Sequence, residues 1–141
     1  MKNSFANRTM AVFLFGLLIG CTTVRPQERQ SNQPNLSADE QKLVGNIMSA
    51  KDPAAKMNAV AELIKKHPKT SVRQRVAENA ANQIANVKDN TQKLTLAQQL
   101  ETIFNDPAEI DTVGPVIVQA YADAGQPDQA FAKGAEFQRI R

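Results

Sequence analysis

From residue 37 onward the apolar positions fall into helical stripes separated by short polar turns. Met57, Val60, Ala61 and Ile64 stand at i, i+3, i+4 and i+7, which places them on one face of a helix. Ser37 with Glu40 three residues later suits a capping box and opens a first helix to about Ala50. Asp52-Pro53 supplies an N-cap and a proline in the first turn of a second helix, which ends at His67-Pro68. Ser71 with Gln74 predicts the cap of a third helix running to about Val87. Lys88-Asp89-Asn90 makes the next turn, and a fourth helix carries Leu96, Leu100 and Ile103 on one side. Asp106-Pro107 starts a fifth segment that Gly114-Pro115 interrupts. Because an interior proline removes a hydrogen bond and crowds the preceding turn, a short turn and then a helix beginning near Pro115 are expected. Gly125-Gln126-Pro127 closes a turn before a last helix from Asp128 to about Arg139.

The turns at Lys51-Asp52, Lys88-Asp89 and Gly125-Gln126 recur every 37 residues. At that offset Ile47, Ile84 and Tyr121 match in character. So do Met57, Leu94 and Phe131, and Leu63, Leu100 and Phe137, with small residues at Ala85 and Ala122 and at Ala97 and Gly134. A helical period of this length predicts an all-α fold, a short solenoid of about three antiparallel helix pairs. The alternative is an irregular helical bundle with evenly spaced turns. The two differ in whether the pairs stack in order or close on themselves.

The first 36 residues follow another pattern. Lys2 and Arg8 precede a nearly unbroken apolar run from Met10 to Ile19 with no acidic residue before Cys21. About 20 apolar residues are needed to cross a bilayer, so the run is too short for a stable span and fits the core of a secretory signal. Leu18-Ile19-Gly20-Cys21 resembles the lipobox of bacterial lipoproteins, with the sole cysteine of the chain at the acceptor position. The resemblance implies a signal peptide over residues 1–20, diacylglycerol on the Cys21 thiol, cleavage before it and acylation of the new amino group. Thr22 stands where an Asp favours inner-membrane retention in that family, which implies the outer membrane, periplasmic side. Residues 21–36, polar and with Pro26 and Pro34, are expected to be the lipidated cysteine and a flexible tether. Residues 37–141 are expected to be the helical repeat domain.

Composition narrows the function classes. The net charge of +3 includes Lys2 and Arg8; from residue 21 on, 15 basic residues face 14 acidic ones, and a nucleic-acid role has little support. No second cysteine is available for a disulfide, so packing must hold the domain. His67 is the only histidine, at a predicted helix end where a cation is favoured. One histidine and one lipid-accepting cysteine do not build a zinc site, and neither a phosphate loop nor a nucleophile motif occurs. No enzyme, cofactor or metal is expected, apart from the acyl groups on Cys21. Charge is segregated instead: Lys56 to Lys93 holds eight basic and three acidic residues, while Leu94 to Asp128 holds six acidic and no basic ones. In a solenoid that order predicts a dipolar molecule, and such fields steer encounter with a partner.

The stretch from Ala120 to Ala130 resembles a tetratricopeptide repeat, with Tyr121, Gly125 and Ala130 at hallmark positions, and Glu62 to Ser71 resembles the end of such a unit in periplasmic lipoproteins. The spacing of 37, the missing Trp, and Lys56 and Lys93 in place of the alanine depart from the pattern. The resemblance implies an adaptor or scaffold for an envelope assembly, secretion or pilus system, moored by its lipid and binding an envelope protein. Candidate contact residues are Lys65, Lys66, Lys69, Arg73 and Arg75 at the basic end and Asp106, Glu109, Asp111 and Asp123 at the acidic end, chosen for charge and expected exposure. The alternative is a structural lipoprotein that acts through self-association or cell-wall contact without a peptide groove.

Overall fold

The computed structural model describes residues 35–140; Cys21, the signal segment and nearly all of the tether lie outside the described residues. The described chain is all-α: α1 (Ala38–Ser49), α2 (Pro53–Lys66), α3 (Arg73–Ala85), α4 (Asn90–Ile103), α5 (Pro107–Asp123) and α6 (Pro127–Ile140), with no strand among the described residues. The helices pack mostly against their neighbours in sequence, with α2 also against α4 and α3 against α5, as in a short helical repeat or bundle. They belong to one compact unit, residues 33–141. The three even helices each have 14 residues and begin at Pro53, Asn90 and Pro127, so their start recurs at the 37-residue interval.

Local chemistry sets most of the helix ends. The Ser37 hydroxyl accepts from the Glu40 N–H while the Glu40 carboxylate accepts from the Ser37 N–H, a complete capping box. Asp52 and Asp89 cap α2 and α4 by accepting from the N–H groups of Ala55 and Gln92 at 2.8 and 2.6 Å. After α5 the chain turns at Gly125, with φ of 73°, and the N–H groups of Gln126 and Gly125 donate to the carbonyls of Tyr121 and Ala122. This is a Schellman stop, and the positive φ is why glycine stands there.

Two expectations are corrected. Ser71 and Gln74 do not form a capping box: Val72 is the N-cap of α3, without a side-chain cap bond, and a turn in which Arg73 N–H donates to the Thr70 carbonyl leads into the helix. The fifth segment is one continuous helix from Pro107 to Asp123 with Pro115 inside it. Pro115 lies on the exposed face of α5. Gly114, one residue before, faces inward; a Cβ there would meet the Phe137 ring at 3.1 Å. Burial against α6 thus holds the helix through its weakest point.

The core is formed by every helix. Phe104, Leu63, Ile84, Leu96, Leu100 and Ile117 are its largest fully buried side chains. The repeat positions Ile47, Ile84 and Tyr121 are all buried, as are Leu63, Leu100 and Phe137. The third set breaks down along the chain: Met57 is buried, Leu94 partly so, and Phe131 is 81% exposed. Phe131 lies on the outward face of α6. Ala97 is fully buried and Gly134 half-buried, whereas Ala85 and Ala122 lie at the surface. Leu36, assigned from sequence to the tether, packs partly against the core, and its carbonyl accepts from the Gln41 side chain at 2.9 Å.

Candidate functional site

Of the nine charged residues singled out by the sequence, three are committed to holding helices together. Arg73 opens α3 and reaches across to α5, where its Nε and Nη2 donate to the two oxygens of the Glu109 carboxylate. Glu109 is only 5% exposed. The same guanidinium donates to the carbonyls of Pro68 and Ile103, each at 3.2 Å, and lies 5.4 Å from the centre of the Phe104 ring. Asp106 sits 3.8 Å away with its carboxylate mostly in solvent. Glu109, and to a lesser degree Asp106, push the Arg73 pKa further up. The expectation that Arg73 and Glu109 are exposed contact residues is therefore corrected: a fork-shaped donor that satisfies a carboxylate and two carbonyls is a structural joint.

Asp123 is bound in the same way. Lys93, nearly buried on α4, donates to it at 2.7 Å, and Gln119 donates to its other oxygen at 2.6 Å. The Lys93 bond, with that of Gln119, holds the Asp123 carboxyl below its usual range. Asn90 donates to the Asp123 carbonyl at 2.7 Å, capping one of the bare carbonyls at the end of α5. Lys133 on α6 bridges to Glu101 on α4 at 2.6 Å and to Glu136 at 3.0 Å, and both bonds raise its pKa. The charge segregation along the sequence is thus partly cancelled in space. Basic residues of α3 and α4 pair with acidic ones of α5, so the expected dipole is reduced.

The remaining candidates face outward. Lys65 and Lys66 end α2, Lys69 lies in the turn to α3, and all three are exposed. Lys66 pairs with Glu62 at 2.8 Å, and that bond raises its pKa; Lys65, Lys69 and Arg75 have no ion pair among the described residues. Asp106 and Asp111 are exposed, and Asp111 borders a shallow hollow of about 280 Å³ between α5 and α6. His67 is the C-cap of α2, its N–H donating to the Leu63 carbonyl at 2.8 Å, and its ring contacts Asp39 of α1 at 2.9 Å. That contact holds the Asp39 carboxyl below its usual range.

The sequence reading missed a groove of about 580 Å³ between α1 and α3. Its walls are Val44, Ile47 and Met48 on α1 and Val72 and Val76 on the facing side, with Leu36, Gln41, Asn79 and Arg75 around them. Met48 is 72% exposed. No Cα of α1 comes within 8 Å of one on α3, whereas α3 and α5, the corresponding pair one repeat later, are in close contact. The groove exists because the first of these two joints is open. Its only signal in the sequence is a run of apolar residues on both flanks, which reads equally well as core.

Among the described residues, no group of three His, Cys, Asp or Glu side chains is gathered closely enough to hold a metal ion. No described helix is long and apolar enough to cross a membrane. Comparison with protein-family models, curated proteins and solved structures finds no match to this chain.

Proposed function

We propose that this chain is a non-catalytic docking protein, a tetratricopeptide-like lipoprotein moored to the outer membrane through Cys21 and facing the periplasm. Its α1/α3 groove receives a segment of an envelope protein. The observation that carries this reading is the open apolar groove beside Arg75. An amphipathic helix is the shape such a slot accepts, with its apolar face on Val44, Ile47 and Val76. Lys65, Lys69 and Arg75, exposed and without ion pairs among the described residues, favour a segment with acidic residues on its outer face.

The test is crosslinking in intact cells from a photoreactive residue at Met48, followed by identification of the captured protein and a low-salt pull-down. Val44→Asp should abolish capture, and Lys65→Glu with Lys69→Glu and Arg75→Glu should weaken it most at low salt. If every captured protein survives both changes, the groove is not the docking site. The anchor is tested separately: Cys21→Ser should leave the chain unprocessed and release it from the outer-membrane fraction, and normal fractionation would remove the mooring.

A further inference from the structure

The outer face of α6 carries a pattern that the proposed docking does not use. Asp128, Phe131, Ala132, Ala135 and Arg139 fall within about 120° of one another around the helix, and all are exposed. The opposite face, Ala130 and Phe137, is buried against the body. Phe131 is the most exposed large apolar side chain among the described residues, at 81%. The two alanines beside it leave the backbone open to close approach by another helix. Asp128 and Arg139 mark the two ends of the stripe, and neither has an ion-pair partner among the described residues.

The stripe is self-complementary. The midpoint between positions 128 and 139 is also the midpoint between 132 and 135. In an antiparallel pair centred there, Asp128 of each chain meets Arg139 of the other, and Ala132 meets Ala135, each contact made twice. A parallel pair would set Asp128 against Asp128 and Arg139 against Arg139. We infer that α6 is a homodimerisation surface, pairing antiparallel with α6 of a second copy through Phe131, Ala132 and Ala135 and two reciprocal Asp128–Arg139 ion pairs. One helix pair makes an interface at the small end of the range for specific complexes, so the dimer is weak and concentration-dependent in solution.

Sedimentation velocity over a concentration series tests this on residues 33–141, the unit that contains the whole core described above, and on the full chain in detergent. The expected result is a monomer–dimer equilibrium with no larger species. Asp128→Arg and Arg139→Asp should each weaken dimerisation about tenfold or more, because each sets like charges opposite one another twice. An equimolar mixture of the two variants should regain the dimer as a heterodimer, since one chain then presents two cations and the other two anions. Ala135→Glu, at an exposed helical position, should abolish the dimer while leaving the helix content unchanged. A parent that stays monomeric throughout, a mixture no tighter than its components, or an Ala135→Glu variant that dimerises normally would each overturn the assignment.

Discussion

The joint between α3 and α5 is closed, and the joint between α1 and α3 is open, although the two occupy equivalent places in successive repeats. At the closed joint α3 carries three buried alanines, Ala77, Ala80 and Ala81, and its backbone comes close to that of α5. Arg73 and Glu109 then lock it, and Gln74 donates to the Thr112 hydroxyl at 2.7 Å. At the open joint both helices present larger side chains, Val44, Ile47 and Met48 against Val72 and Val76, and no polar bond crosses. α1 is held instead from below by α2 and by the His67–Asp39 contact at its start. Side-chain size and the presence of a crossing ion pair thus decide whether a repeat boundary becomes core or becomes a groove.

The comparison breaks most sharply at Glu109. Glu109→Ala leaves the part-buried Arg73 guanidinium with its two carbonyl acceptors and only the more distant, solvated Asp106 as counter-charge, and should cost about 3 kcal/mol, measured as a loss of urea midpoint. Replacing both partners, Arg73→Met with Glu109→Leu, should recover most of that loss, because apolar residues of similar volume substitute well for a buried pair. A double variant as unstable as Glu109→Ala alone would mean that the two carbonyl bonds, and not the ion pair, hold the joint. Gln74→Ala removes one exposed bond across the same joint and should cost about 0.5–1 kcal/mol in the same measurement.

The fastening of α1 responds to acid. Asp39 and Glu40 both have folded pKa values below their ordinary ones. For Asp39 the cause is the His67 contact; for Glu40 it is chiefly the bond from the Ser37 N–H, with the Ser37 hydroxyl beside it. Protonation therefore favours the unfolded state: the contribution is complete above about pH 5 and is lost as pH falls through the folded values. Thermal melts followed by circular dichroism should show that loss setting in below about pH 5, and Asp39→Asn should diminish it. A melt unchanged between neutral and acidic pH would detach this fastening from the account. The smallest effect belongs to the open side: Met48→Ala should change stability by no more than about 0.5 kcal/mol, since the side chain is largely in solvent, while still weakening capture of a groove partner.

Much of this architecture is legible in the chain because it depends on neighbours in sequence. The helix starts at Ser37, Asp52 and Asp89, the stop at Gly125 and the 37-residue recurrence all follow from residues within one turn of each other or from a repeated apolar spacing. Their physics is local: a side chain reaches an N–H three residues away, or a glycine takes a positive φ. What only the tertiary structure decided depends on residues more than 20 positions apart. Arg73 and Glu109 looked like surface charges until burial between two helices made them a joint. Pro115 looked like a helix start until α6 packed against Gly114 and carried α5 through it. Phe131 shares the repeat position of buried Met57, yet it stands on the outward face of α6, 81% exposed. Composition and periodicity determine which faces are apolar; how closely two faces approach, and which of them is covered, is settled by packing between distant segments.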